Sequence, residues 1–116
     1  MGIAALEYSG MSNAADASVV DQQTHATGTA ASATSGATAA TGAGNELALG
    51  FYVDSGWGVT LTSGAGYTSR TNVSPTGDME LLVEDQVVAQ GATPNAAVGT
   101  RAGTVWLMAT LVFKTK

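Results

Sequence analysis

Glu46-Leu47-Ala48-Leu49-Gly50-Phe51-Tyr52-Val53 decides the fold, because Leu47, Leu49, Phe51 and Val53 fall on alternate positions with Glu46, Ala48, Gly50 and Tyr52 between them. Side chains of a strand leave the backbone on opposite faces in turn, so a period of two predicts a half-buried β-strand. A helix would place its apolar residues three and four apart. The alternation recurs over Asp78–Val83, which predicts Met79, Leu81 and Val83 inward and Asp78, Glu80, Leu82 and Glu84 outward. Turn-rich stretches bracket that segment, Ser74-Pro75-Thr76-Gly77 before it and Gly91-Ala92-Thr93-Pro94-Asn95 after it.

The closing segment Thr104–Lys114 (TVWLMATLVFK) is apolar on both faces. Such a strand is central and covered twice, and its Thr and Val residues favour β structure over an amphipathic helix. Trp106 therefore reads as core. Shorter strand candidates are Ile3–Ser9, Ser18–Thr24, parts of Thr27–Thr41, Val59–Thr62 and Tyr67–Val73. A weak helical signal covers Asn13–Val20, with Asn13 as cap and Asp16 three residues on. Strands at this spacing with Gly-rich turns predict an all-β antiparallel sandwich, jelly-roll or Ig-like, as a single domain over residues 1–116.

The run Ala26–Gly44 (ATGTAASATSGATAATGAG) contains nothing but Ala, Thr, Ser and Gly. No side chain there titrates, ligates a metal well or attacks a substrate, so the run is scaffold, linker or contact surface. Alternating Thr27 and Thr29, then Ser32 and Thr34, predict two short strands joined by a Ser35-Gly36 turn. A flexible linker is the competing reading. A flat Thr and Ala array would also suit an ice-binding or self-stacking surface, but the threonines at 24, 27, 29, 34, 38 and 41 follow no sustained repeat.

Composition narrows the function. Apolar residues make up 45% of the 116-residue chain but many are alanine, so large core side chains are scarce. Nine acids against four bases give a net charge of -5, and Arg70, Arg101, Lys114 and Lys116 form no cluster. Nucleic acid and anionic membrane surfaces, which need grouped Lys and Arg, are poor partners for it. No apolar stretch approaches the roughly 18 residues that span a bilayer, so membrane insertion is not expected. The absence of cysteine excludes disulfides and thiolate metal sites. The opening Met-Gly-Ile-Ala-Ala-Leu-Glu-Tyr lacks signal-peptide features and reads like an interior strand, as expected of a piece excised from a longer protein.

Chemistry-bearing residues are few. Asp78, Glu80, Glu84 and Asp85 lie close in sequence beside a Gly77 turn, and calcium is the cation that such carboxylates would suit. The competing reading is a solvated acidic face, since strand residues two apart project side by side without converging. His25 is the sole histidine, with Asp16 and Asp21 nearby, but no G-x-S-x-G elbow accompanies it. Nothing in the spacing of the acids selects a pair for glycoside hydrolysis. Gly64 and Gly66 precede strand-like residues without a phosphate-binding motif and read as a turn. The aromatics are more informative. Trp57 stands between Gly56 and Gly58, and with Tyr52, Asp54 and Tyr67 it would form a surface on which a sugar stacks and hydrogen-bonds. Alternatively Trp57 folds back as a lid on the core.

The order EYSG (Glu7–Gly10), the Thr/Ala/Ser/Gly-rich stretch, NELALGF (Asn45–Phe51), GAGYTSR (Gly64–Arg70), GDMELLVEDQVV (Gly77–Val88) and VWLMATLVF (Val105–Phe113) resembles the C-terminal part of lectin-like, jelly-roll β-sandwich modules of large secreted bacterial and metagenomic proteins. That resemblance covers nearly the whole chain and rests on strand and turn patterns. It implies an extracellular or cell-surface binding, adhesion or assembly module with no catalytic residues to carry over, and with a glycan or another protein chain as partner. It also implies that N-terminal strands of the pattern are missing, which would leave sheet edges or an open core and promote homo-oligomers or strand complementation. The alternatives are a small secreted hydrolase using paired carboxylates, and a self-assembling structural protein.

Overall fold

The computed structural model describes residues 2–56, 58–75 and 77–116. Its strands are β1 (Val20–Gly28), β2 (Ser32–Thr34), β3 (Glu46–Asp54), β4 (Thr62–Ser63), β5 (Thr68–Val73), β6 (Leu81–Val88), β7 (Ala97–Gly99) and β8 (Trp106–Phe113). They form two antiparallel sheets, a five-stranded one in the order β1-β8-β3-β6-β5 and a three-stranded one in the order β2-β7-β4. The sandwich expected from the alternating pattern is what forms.

One face of the large sheet meets the small sheet, and the core between them includes Ala48, Tyr52, Leu82, Trp106, Met108 and Val112 from the large sheet and Ala33 and Val98 from the small one. Sheet contact here is close because small side chains permit it. A Cβ added to Gly50 would lie 2.7 Å from both Ala96 Cβ and Glu84 Cγ, and one added to Gly28 would lie 2.6 Å from the Trp106 ring. Trp106 donates its indole N–H to the Ala30 carbonyl at 2.9 Å, so its one polar atom is satisfied within the core.

Strand β3 reverses its expected orientation. Glu46, Ala48, Gly50, Tyr52 and Asp54 are the buried set facing the small sheet, while Leu49, Phe51 and Val53 are only half-buried on the opposite, outer face. Strand β6 is also corrected. It starts at Leu81 and runs to Val88, and Leu81 through Asp85 are buried on both faces, so Glu84 points inward and Met79 is 62% exposed. The closing strand β8 is central, flanked by β1 and β3, as its sequence predicts, but it is fully covered on one face only: Leu107, Ala109, Leu111 and Phe113 on the outer face are half-buried.

The small-residue run supplies the end of β1 (Ala26–Gly28) and all of β2, but no second strand follows the expected Ser35-Gly36 turn. Gly36, at φ 78°, ends β2, and from there burial recurs every third residue: Ser35, Thr38 and Thr41 are buried and Ala37, Ala39 and Ala40 are exposed. Three is the period of a polyproline-type extended chain and not of a strand. The strap is fixed by backbone bonds from Ser35 N–H to Ala96, from Thr38 N–H to Pro94 and from Thr41 N–H to Ala92, at 2.8–3.0 Å. Neither a free linker nor a flat threonine array describes it.

Other expectations shift more modestly. The helical signal resolves as a short 3-10 turn, Ala17–Val19, capped by Asp16, whose carboxylate accepts the Ser18 N–H at 2.9 Å. Ile3–Ser9 forms no strand. It is an extended arm, tied at its end where Met11 bridges Thr115. Val59–Thr62 contributes only β4, at Thr62–Ser63.

Candidate functional site

Of the surface expected for a sugar, the described residues Tyr52, Asp54 and Tyr67 are all buried. Tyr52 is fully buried and donates its hydroxyl to Asp54 Oδ2 at 2.5 Å. Asp54 is buried as well, and its Oδ1 accepts the N–H groups of Gly56 (3.0 Å) and Glu80 (3.3 Å). Tyr67 is buried, and its hydroxyl lies near Gln86 and Thr110 without hydrogen-bond geometry to either. Burial pushes both phenols up, Tyr52 with help from its Asp54 partner. Trp57 lies outside the described residues. The sequence suggested a polar loop surface because it could not show that β3 turns its even-numbered residues into the core.

The acidic group also disperses. Asp78 is exposed at a turn, where its carboxylate accepts the Met79 N–H at 2.8 Å. Glu80 and Glu84 face inward as receptors for backbone: Glu80 accepts Val59 N–H at 2.6 Å, and Glu84 accepts Gly64 N–H at 2.7 Å and Ala97 N–H at 3.1 Å. Asp85 faces the other way, bound by Arg70 Nε at 2.8 Å and the Tyr8 hydroxyl at 2.6 Å. Among the described residues no three His, Asp or Glu side chains gather to hold a metal ion. Sheet geometry explains this, since neighbours along a strand are sent to opposite faces.

These carboxylates serve the fold. The N–H groups of Gly64 and Ala97 lie at the margin of the three-stranded sheet, where buried donors need partners, and Glu84 reaches across from β6 to satisfy both. Burial pushes Glu84 above the usual carboxylate range, and the two N–H groups only partly oppose it. Glu80 is raised by burial, with the Asp54 carboxylate adding to the effect. At Asp85 burial is outweighed by the Arg70 guanidinium and the Tyr8 hydroxyl, which hold it below the usual range. His25 is exposed on β1 opposite Ala109, while Asp21 turns its carboxylate to the Gly42 N–H at 2.8 Å.

What the fold does present is the outer face of the large sheet. Its register places Leu47, Leu49, Phe51 and Val53 of β3 between Val87, Asp85, Val83 and Leu81 of β6 on one side. Phe113, Leu111, Ala109 and Leu107 of β8 lie on the other side. Every one of these positions is apolar except Asp85, whose charge Arg70 neutralises. The arm Gly2–Tyr8 crosses this face: Gly2 stands by Leu81, and Tyr8 bonds Asp85.

Cover by the arm is partial. A hollow of about 300 Å³ lies on one side of Leu6, floored by Leu49, Phe51, Val53 and Val83. A second of about 300 Å³ lies on its other side, walled by Tyr8, Met11, Val19, Leu47, Leu49 and Phe113. Ile3 (85% exposed), Met79 (62%) and Leu6 (38%) line the first hollow, and Val87 (68%) stands on the same face opposite Leu47. Leu47, Leu49, Phe51 and Val53 were legible as one apolar face, but that face belongs to the exterior.

Fold and face together define an antiparallel β-sandwich with an apolar, half-covered outer sheet. No family model, curated protein or solved structure matches the chain.

Proposed function

We propose that this chain is a non-catalytic binding and assembly module that acts through the outer face of its five-stranded sheet. The observation that carries the reading is the contiguous apolar face of β8, β3 and β6, which among the described residues the arm Gly2–Tyr8 shields only in part. Large exposed apolar patches on folded proteins mark contact sites, because their exposure to water costs free energy that a partner recovers. The buried acids support the same reading, since Asp54, Glu80 and Glu84 are engaged by backbone N–H groups within the sandwich. Placement outside the cell, on a secreted bacterial protein, rests on the sequence resemblance alone.

An environment-sensitive apolar dye tests it. Folded protein diluted until it is monomeric should bind the dye with enhanced fluorescence, and Met79→Lys with Val87→Lys should weaken that binding while the β-type circular dichroism is kept. Monomeric native protein that leaves the dye dark would remove the face as a contact site. Glycan binding abolished by Trp57→Ala would move the function to Trp57 and its neighbours in sequence.

A further inference from the structure

Resting on that reading, we infer that the occupant of the outer sheet face is a second copy of this chain, packed sheet against sheet about a two-fold axis. Area, charge and shape each point to it. Ordinary side-chain areas weighted by the exposures of Ile3, Leu6, Met79 and Val87, together with the half-buried residues between them, amount to roughly 600 Å² of apolar surface. That is the upper end of what a monomer carries as its largest patch, and approaches the roughly 800 Å² per partner of a standard interface.

Charge selects among occupants. A molecule with net charge -5 repels its own copy unless the contact surface is neutral, and here the one carboxylate that β3, β6 and β8 turn to this face, Asp85, is bound by Arg70. Across these three strands two such faces meet without a like-charge contact, which leaves Glu7, exposed on the arm, as the acid nearest them. An anionic lipid surface gains nothing comparable, because this face offers no cluster of Lys or Arg and the chain as a whole is acidic.

Shape adds the self-complementarity that a two-fold contact demands. Ile3, Met79 and Val87 project from the same face that holds the two hollows beside Leu6, so a rotated copy sets projections opposite hollows. Packed sheets lie about 10 Å apart with side chains interleaved, a spacing that residues of the size of Leu and Phe fill. In the dimer the arm either shifts aside or becomes part of the interleaved layer.

Mass in solution tests the pairing. Light scattering or sedimentation equilibrium at about 100 µM should give twice the 11.5 kDa chain mass. Met79→Lys with Val87→Lys should raise the dissociation constant at least about tenfold. Both side chains are mostly exposed in the single chain, so the folded spectrum should be unchanged in that variant. A strict monomer at the same concentration, or a dimer indifferent to both lysines, overturns the inference. Monomeric protein that still binds the apolar dye retires the second copy and leaves the contact face standing. Monomeric protein that also leaves the dye dark retires both.

Discussion

Gly50 and Glu84 sit opposite one another in the register of β3 and β6, and each fixes the distance between the sheets. Gly50→Ala would drive a methyl to 2.7 Å from Ala96 Cβ and Glu84 Cγ, and neither strand can retreat without opening the core. The expected cost is about 1–3 kcal/mol, read as a lower urea midpoint with an unchanged slope. Glu84→Gln keeps the volume but turns an NH2 group toward one of the two backbone donors that Glu84 now satisfies. One buried N–H is then left without an acceptor, at a cost of about 1–3 kcal/mol by the same measurement. Stability equal to the parent's in Glu84→Gln would show that the carboxylate does not staple the sheets. An acid among apolar strand residues ordinarily marks the solvent side, and nothing local in the sequence announces that its partners wait at Gly64 and Ala97.

Elements were more legible than their faces. Alternation over Glu46–Val53 and the two-sided apolar pattern of Thr104–Lys114 specify strands, and β3 and β8 are where they are expected. Which side of β3 turns inward is decided by what packs there, and the closest approach beside β3 is over Ala48 and Gly50, next to the stapled Glu84. Ranking by hydrophobicity picks the bulkier Leu and Phe face instead. The strap after Gly36 was illegible for a related reason, since its three-residue period is carried by Ser35, Thr38 and Thr41 in a run where every residue is small. That period makes a prediction. Thr41 donates its hydroxyl to the Ala89 carbonyl at 2.8 Å and accepts the Ala92 N–H at 3.1 Å, so Thr41→Val should cost about 1–3 kcal/mol. Ala39→Ser, on the exposed side of the same strap, should stay within about 0.5 kcal/mol. Equal effects in chemical denaturation would mean that the strap has no inward face.

Over the whole molecule, the acids whose titration the fold displaces divide into two groups whose linkage to folding has opposite sign. Glu46, Glu80 and Glu84 are raised, each chiefly by burial, with Asp21 contributing at Glu46 and Asp54 at Glu80. Between the ordinary Glu value of about 4.3 and their raised values the folded chain holds protons that the unfolded chain has released, so stability falls as pH rises through that interval. Asp85, and Asp16 at the 3-10 turn through its bonds to Ser18, are lowered. Their contribution is present above the ordinary Asp value of about 3.9 and is lost as pH falls toward their folded values. The two slopes cross in mild acid, and that is where the melting temperature should peak. The net charge of -5 steepens the alkaline side, because self-repulsion grows as the last carboxylates ionise. The protein should therefore melt higher at about pH 5 than at about pH 8, with a difference on the order of 5 °C for each kcal/mol lost. In Glu84→Gln the alkaline slope should flatten while the loss below about pH 4, which belongs to the aspartates, is retained. A melting temperature that climbs steadily from about pH 5 to about pH 8 would mean that these buried glutamates ionise without penalty, and that the sandwich interior is wetter than its packing implies.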